Sequence, residues 1–498
     1  MLRLHLLSLF ALTACVTACG SSSLTSAPAV QASSTGTTPA ATPKAVCGPG
    51  SMPETGIQGR VSRAEHDSGR AAKGYTCNTE LVGSYVVPDA IGTVAGFKVE
   101  RYVDKAGHDC AYYDTTLAFP ANVLDGQAGV NVLDMSDPTH PTLTAKLQTP
   151  AMLSPHESLV VSPQRGVLAA VLGNPAFGPG IVDVYDISQD CRHPVLKSSL
   201  PTGLLGHESG MAPDGKTFYS ASPGTPTIVA IDLNNLTLPL PIIVLPYYSH
   251  GLSISADGNR AYLASVGLAG AACAYAVSCD IPDIPKDRGL IILDVSEIQA
   301  RKPNPQVHEI SRLQWPSMSV PQNAIPFTQK GHPYLLEIDE FARGGTPGTG
   351  LPGSSGLVGA GRIIDIGDET KPKVISDLRL EVHNPENYAA IANDPGAQFV
   401  GQGYAGHYCN VPTRVDPTIV ACSMILSGLR VFDIRDPYHP REVAYFNAPI
   451  YPRVTPYLEA SNYAMSSPSF VAERKEIWYS DVYSGFYAVR LTNGAWPD

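Results

Sequence analysis

Four histidines occupy equivalent places in the sequence, each directly before a short β-rich segment that leads towards a tight turn. They are His156, His207, His250 and His407. Neutral imidazole is a borderline ligand that suits copper, iron and zinc. The pattern therefore predicts a transition-metal site, with copper or iron favoured over zinc, if the fold turns the four rings towards one axis.

Two other interpretations of these histidines stay open. The rings could line a polar mouth that binds a ligand without any metal. Alternatively, each ring could bond a neighbouring backbone group or hold water and serve the fold alone. Residue type therefore does not decide the question, and the position of the rings does.

The elements that would position the histidines recur along the chain. Six segments have an aspartate between two apolar residues, at Asp134, Asp186, Asp232, Asp294, Asp365 and Asp433, and a seventh has Arg490 in that place. A hairpin precedes each segment, and a turn with a further strand follows most of them, so each repeat holds about four strands. This predicts an all-β fold, a seven-bladed β-propeller over residues 78–493. Two stacked β domains are the competing interpretation.

The last repeat ends before a fourth strand, whereas the apolar segment 81–87 near the start has no repeat of its own. We expect this N-terminal strand to complete the last blade and close the ring.

The innermost strands of a propeller line its channel, so their leading residues meet at one mouth. At that level the fifth blade offers Gln322 or Asn323 and the seventh Asn462 or Ser466, while the first has no clear counterpart.

Acidic residues near these positions have weaker signals. Glu157 and Glu208 directly follow two of the histidines, and neighbours in a strand point to opposite faces. We therefore expect them to bridge blades rather than to bind the metal. Glu337, Asp339 and Glu340 form an acidic cluster in the fifth blade, where we expect a solvated loop.

Residues 129–138 and 428–437, which read Gly-Val-Asn-Val-Leu-Asp-Met-Ser-Asp-Pro and Gly-Leu-Arg-Val-Phe-Asp-Ile-Arg-Asp-Pro, resemble the LVIVD repeat of bacterial propeller proteins. The resemblance covers most of residues 90–491. It departs at Pro239-Leu240-Pro241 and at Arg490. It implies a propeller outside the cytoplasm and little about activity. In residue type and blade position alone, the four histidines also resemble those of carotenoid-cleavage oxygenases and, more loosely, the histidine-lined propellers of selenium-binding proteins.

The first 18 residues have one positive charge, at Arg3, followed by an apolar stretch and small residues, as is typical of an export signal. Val16-Thr17-Ala18-Cys19 resembles the bacterial lipobox, so we expect a lipoprotein anchored to the membrane of the bacterial cell envelope through Cys19. A plain secretory signal is the alternative.

The sequence predicts a disordered Ser/Thr/Ala/Pro linker over residues 19–45, which include the lipidated cysteine. It also predicts an N-terminal extension over residues 46–77 and a tail over residues 494–498.

Eight further cysteines follow Cys19, an even number in an exported chain, and none has Cys-x-x-Cys spacing. This favours disulfides. The spacing predicts local pairs between Cys273 and Cys279 and between Cys409 and Cys422. The partners of Cys47, Cys77, Cys110 and Cys191 stay open.

Composition and motifs exclude several functions. The 498-residue chain has a formal net charge of −11 and no basic run, so nucleic acid is a poor partner. Residues 348–353 match a dinucleotide fingerprint by letter, but Pro352 interrupts it and no helix follows, so no nucleotide cofactor is expected. The nucleophile elbow and the phosphate-binding lysine loop are absent from the sequence.

Two functions from different classes remain, and the sequence does not decide whether the protein is an enzyme. In the first, the propeller is a tethered binding module for an envelope protein, a glycan or a small molecule, with a site at the channel that a metal would fill. In the second, His156, His207, His250 and His407 hold copper or iron in an oxidoreductase or oxygenase.

Overall fold

Antiparallel strands supply nearly all the regular structure in the described part of the chain. The computed structural model describes residues 39–87, 94–115, 128–173, 179–267, 288–340, 358–397, 403–450 and 461–497. In chain order the strands of those ranges are β1 (Tyr75–Cys77), β2 (Thr79–Tyr85), β3 (Val99–Val103), β4 (Asp109–Asp114), β5 (Val130–Asp134), β6 (Thr142–Leu147), β7 (Val160–Ser162), β8 (Val167–Val171), β9 (Val182–Asp186), β10 (Val195–Leu200), β11 (Gly210–Met211), β12 (Thr217–Ser222), β13 (Thr227–Asp232), β14 (Leu240–Leu245), β15 (Gly251–Ile254), β16 (Arg260–Ser265), β17 (Gly289–Asp294), β18 (His308–Leu313), β19 (Val320–Gln329), β20 (His332–Glu340), β21 (Gly361–Asp365), β22 (Lys373–Leu378), β23 (Tyr408–Asn410), β24 (Ile419–Met424), β25 (Gly428–Asp433), β26 (Arg441–Asn447), β27 (Ser469–Val471), β28 (Glu476–Asp481) and β29 (Gly485–Leu491).

Helices in the described ranges are short and lie outside the sheets. They are α1 (Arg63–Asp67), α2 (Pro150–Leu153), α3 (Ser296–Gln299) and α4 (Tyr388–Ile391), with 3-10 turns at Ala71–Lys73, Glu381–His383, Pro385–Asn387 and Ala472–Arg474. No helix of the described residues is long and apolar enough to cross a membrane.

The strands form seven antiparallel sheets that stand as blades in a ring, a seven-bladed β-propeller. Blades 1 to 5 are β3–β6, β7–β10, β11–β14, β15–β18 and β19–β22, blade 6 is β23–β26 with β1 added at its outer edge, and blade 7 is β27–β29 with β2. Innermost strands of neighbouring blades contact one another, as β15 does β19 and β27 does β3. The predicted all-β propeller of seven blades is confirmed.

The repeat aspartates have a local structural role, because each one ends the third strand of its blade. The Asp134 carboxylate accepts a hydrogen bond from the Ser136 backbone N–H at 2.9 Å, and that of Asp433 accepts one from the Arg435 N–H at 3.0 Å. The same bond to the residue two places on is made by Asp186, Asp232, Asp294 and Asp365. This Asx turn starts the connection to the outer strand, which explains the period seen in the sequence.

Blade 7 lacks the repeat aspartate and combines strands from both ends of the described chain. Strand β2 pairs antiparallel with β29, with Thr79 opposite Leu491. Arg490 pairs with Glu476 of β28 at 2.8 Å and with Glu80 of β2 at 3.0 Å. The arginine therefore ties three strands together where the other repeats make a turn.

Three disulfides join described cysteines: Cys47–Cys77, Cys110–Cys191 and Cys409–Cys422. The predicted Cys409–Cys422 pair is confirmed, and it spans directly opposite positions of β23 and β24. The four cysteines whose pairing the sequence left open form the other two bonds. The predicted Cys273–Cys279 pair and the lipidation site Cys19 lie outside the described residues.

Candidate metal centre

The four histidines stand at one end of the channel because each lies just before an innermost strand. His207, His250 and His407 precede β11, β15 and β23, and His156 precedes β7. The ring centroids of His156 and His207 are 4.2 Å apart, and those of His207 and His250 are 4.8 Å apart. The fold therefore brings three of the predicted rings side by side.

Glu157 connects these histidines to the fourth. Its Oε2 lies 3.2 Å from Nε2 of His207, and its Oε1 lies 3.4 Å from Nε2 of His407 and 3.8 Å from Nε2 of His156. All four imidazoles thus belong to one constellation, and Glu157 bridges blades as expected.

The expectation that strand alternation would turn Glu157 away from the histidines is wrong. His156 and Glu157 lie in a turn before β7, and His156 has a φ of +52°. In that left-handed conformation the alternation of an extended strand does not apply. The carboxylate therefore reaches the same space as the imidazole that precedes it.

Glu340, at the end of β20, supplies a second carboxylate. Its Oε2 lies 3.4 Å from Nε2 of His250, and its Oε1 lies 3.3 Å from Nε2 of His407. Glu340 is 3% exposed. The expected solvated loop at the acidic cluster is therefore wrong, because the cluster lies in the buried second half of strand β20.

The other two acids of that cluster point away from the histidines. Glu337 and Asp339 face Arg362 of β21, with 2.9 Å between Asp339 Oδ2 and Arg362 Nη2. Arg362 also lies over the Trp315 ring, 4.4 Å from its centroid. Alternation along β20 thus separates a buried ion cluster from the carboxylate that serves the channel.

Hydrogen bonds orient two of the imidazoles. Nδ1 of His250 lies 2.8 Å from the carbonyl oxygen of Pro321, and Nδ1 of His407 lies 2.6 Å from that of Met465. A carbonyl only accepts, so in both rings Nδ1 carries the hydrogen. The Nε2 atoms, which face the carboxylates, are the atoms that could ligate a metal, an arrangement common among metal-bound histidines.

Electrostatics make the constellation attractive to a cation. Burial, together with the nearby His207, holds the pKa of His156 well below its ordinary value. Burial also disfavours the charge on His407, but Glu340 and Glu157 outweigh it and raise its pKa to about 10. Burial alone would raise the pKa of Glu157, yet the neighbouring imidazoles keep it well below the usual range.

Other residues lie at the same level of the channel as the histidines, and the sequence indicated only some of them. Gln322 donates to Glu157 Oε2 at 2.5 Å and to the Tyr408 hydroxyl at 3.1 Å. The Phe97 ring lies 4.3 Å from that of His156. Lys98, the missing counterpart in blade 1, could have been found by its place directly before β3, which matches the places of the histidines.

A buried ion pair between Lys98 and Glu208 lies beside the histidines. Lys98 Nζ is 2.9 Å from Glu208 Oε1, and Asn323 also donates to that oxygen. Burial raises the pKa of Glu208 to about 7, although Lys98 opposes this. Glu208 therefore bridges blades 1, 3 and 5 as the sequence suggested.

Three groups of described residues have ligand atoms within 4.8 Å of one another. Two of them belong to this constellation: His156, Glu157 and His207, and Glu157, Glu340 and His407. The third, Asp104, His108 and Asp190, lies elsewhere. There Asp190 is paired with Arg192 at 2.8 Å, and Asp104 accepts hydrogen bonds from His108 and the Cys191 N–H. The channel is therefore the better candidate for a metal.

No family model matches the chain, and neither does any curated protein. Among solved structures, a chain of hydrazine synthase from Kuenenia stuttgartiensis is 13% identical with a TM-score of 0.45, over 82% of this chain and 99% of that chain. A chain of the mitotic checkpoint complex is 9% identical with a TM-score of 0.45, over 82% of this chain and 93% of that chain. Similarity at this level does not extend to chemistry.

Proposed function

We propose that the protein binds one transition-metal ion, copper or iron, through the Nε2 atoms of His156, His207, His250 and His407. What supports this proposal most is the convergence of the four Nε2 atoms on Glu157 and Glu340, at 3.2 to 3.8 Å. The raised pKa of His407 keeps a proton on its imidazole, so binding of a metal through Nε2 would release that proton.

Metal analysis of protein purified without chelators tests this proposal. After incubation with Cu(II) or Fe(II) and dialysis, we expect one ion per chain in the wild type. His407→Ala should lose the ion, since this imidazole faces both carboxylates. His439→Ala is the matched control, because the His439 side chain is 83% exposed and lies in the turn between β25 and β26. A wild type that retains no transition metal overturns the proposal.

An oxidoreductase or oxygenase is the second candidate, and the unequal exposure of the histidines favours it. The His156 side chain is 19% exposed, whereas that of His407 is 0% exposed. A metal held by imidazoles that are buried on one side would keep a coordination position open on the His156 side. Azide added to the copper-loaded protein should then change its absorption and electron paramagnetic resonance spectra, and an unchanged spectrum would contradict an open position.

We further propose that the chain is an LVIVD-repeat propeller in which the pairing of β2 with β29 closes the ring. We place it outside the cytoplasm of a bacterium, anchored through lipid on Cys19. Three disulfides support an oxidising compartment. Cells supplied with labelled palmitate should incorporate the label into the wild type but not into Cys19→Ala, because the acyl chains are attached at this cysteine. A wild type that incorporates no label contradicts the anchor.

The tether and the propeller also support the role of a binding module for an envelope protein, a glycan or a small molecule. Pull-down from an envelope extract with the copper-loaded and the metal-free protein tests this role. A partner that elutes only from the loaded protein would place its surface at the metal centre. If neither the copper-loaded nor the metal-free protein retains a partner, the result counts against the role of a binding module.

A further inference from the structure

The imidazole of His156 is the least firmly held of the four. Nδ1 of His250 and Nδ1 of His407 are each bonded to a backbone carbonyl, at 2.8 and 2.6 Å, whereas His156 makes no hydrogen bond to a described residue. Its Nε2 lies 3.8 Å from Glu157 Oε1, while the other three rings approach a carboxylate oxygen to 3.2–3.4 Å. Packing alone therefore fixes the direction of the His156 ring.

The packing around His156 also leaves one side of the ring open. Its side chain is 19% exposed, compared with 8% for His207, 7% for His250 and 0% for His407. His207 also lacks a partner at Nδ1 among the described residues. Its ring, however, lies between those of His156 and His250, at 4.2 and 4.8 Å, and at 3.2 Å from Glu157, so neighbours hold it in place.

The turn that carries His156 is held without the help of the imidazole. The backbone N–H of Ser158 donates to the carbonyl oxygen of Pro155 at 2.9 Å, and the Ser158 hydroxyl donates to the same oxygen at 2.6 Å. His156 itself has a φ of +52°, and residues held in such sparsely populated conformations cluster at functional sites. The ring can therefore rotate about its Cα–Cβ bond without the loss of a hydrogen bond.

We propose that His156 is an exchangeable ligand, which a small anionic donor displaces from the metal while His207, His250 and His407 keep the ion. This inference rests on the proposed function. In the exchange, the bond from the metal to His156 Nε2 breaks and its electron pair stays on the nitrogen. The incoming donor atom supplies the electron pair of the new bond, and the positive charge of the ion attracts an anion to this position.

The affinities of full-length variants for Cu(II), and of the copper-loaded proteins for azide, test this inference. His156→Ala should lower the Cu(II) affinity about tenfold, whereas His250→Ala should lower it about a hundredfold, because it removes a ring that a carbonyl holds in place. Azide should bind to His156→Ala about tenfold more tightly than to the wild type, since it no longer competes with an imidazole. Free imidazole added to this variant should restore the absorption spectrum of the wild type.

Each outcome separates this inference from the proposed function. A wild type that retains no copper overturns the proposed function. If the wild type retains copper but His156→Ala loses at least as much affinity as His250→Ala, the exchange alone is overturned. The same holds if azide binds to His156→Ala no more tightly than to the wild type. Circular dichroism and thermal unfolding establish that both variants are folded.

If His156→Ala does not fold, Gly173→Ala decides, because it keeps every ligand in the chain. A Cβ atom at Gly173 would lie 2.6 Å from the Cβ of His156, so the added methyl group must shift the imidazole. Azide should then bind about threefold more tightly than to the wild type, because the shifted ring competes less well for the metal. An azide affinity equal to that of the wild type contradicts the inference.

Discussion

Glu157 and His407 stand in blades 2 and 6, and Oε1 of the glutamate lies 3.4 Å from Nε2 of the histidine. Residues so far apart in the chain meet only because a closed ring of blades turns its innermost strands towards one axis. The same carboxylate is 3.2 Å from His207 in blade 3. Glu157 thus joins histidines of three blades into one site.

Replacing Glu157 by glutamine should weaken metal binding while leaving the propeller folded. The amide keeps the size of the side chain but removes the negative charge that favours a cation among the imidazoles. We expect the affinity for Cu(II) to fall about tenfold to a hundredfold, as for other second-sphere carboxylates of metal sites. Isothermal titration at neutral pH measures it, with Glu80→Gln at the exposed rim as the control. Equal affinities of the two variants would remove Glu157 from the site.

The sequence predicted the fold well because one local device recurs in it. Asp134 and its counterparts each end a third strand with an Asx turn, and such a turn needs only residues close together in the chain. The positions of His156 and His407 followed from the same period. The period of the sequence therefore predicts both the number of blades and the level at which each residue lies along the channel.

Side-chain direction could not be predicted in the same way. Glu157 enters the site because His156 adopts a positive φ, which histidine rarely does and which no pattern in the sequence signals. Glu340 and Lys98 are brought to the histidines by contacts between blades far apart in the chain. Such contacts depend on the register of whole strands, which a repeat pattern does not specify.

Removing the Cys409–Cys422 disulfide should destabilise blade 6. The bond closes a loop with a sequence separation of 13 residues and starts at Cys409 in β23, the strand that His407 directly precedes. Chain entropy predicts a loss of ~3 kcal/mol in the free energy of unfolding for the double replacement by alanine. Urea unfolding measures it, and the metal content of the variant shows whether His407 keeps its place. A loss below about 1 kcal/mol would mean that the strands hold this hairpin without the bond.

Arg362→Met should destabilise the fold more than the loss of an exposed ion pair does. It would leave Glu337 and Asp339, both fully buried, without their shared cation. Breaking a buried pair in this way costs ~3–5 kcal/mol. Arg312→Met is the control, since its pair with Glu309 is about one-third exposed and such pairs contribute at most about 1 kcal/mol. Thermal unfolding of the two variants compares them, and similar melting temperatures would contradict a stabilising role for the buried cluster.

Asp114 should give the protein a pH-dependent stability that its replacement by asparagine removes. The carboxylate accepts the backbone N–H groups of Phe97 and Lys98 on Oδ1, at 2.8 and 3.0 Å, so an amide oxygen can take over both bonds. Burial raises the pKa of Asp114 to about 7. The folded chain therefore keeps this proton up to neutral pH, whereas the unfolded chain loses it near the ordinary value of 3.8. Asp114 consequently stabilises the fold in acid, and this contribution is lost as the pH rises from about 4 to 7.

Urea unfolding of the wild type and of Asp114→Asn between pH 5 and pH 8 measures this dependence. Relative to the wild type, the variant should gain ~3 kcal/mol of unfolding free energy over that interval, because only the wild type must ionise Asp114. Glu208 and the other channel carboxylates are present in both proteins, so their titration cancels in the difference. Parallel pH curves for the two proteins would show that Asp114 ionises at the same pH in the folded and the unfolded chain.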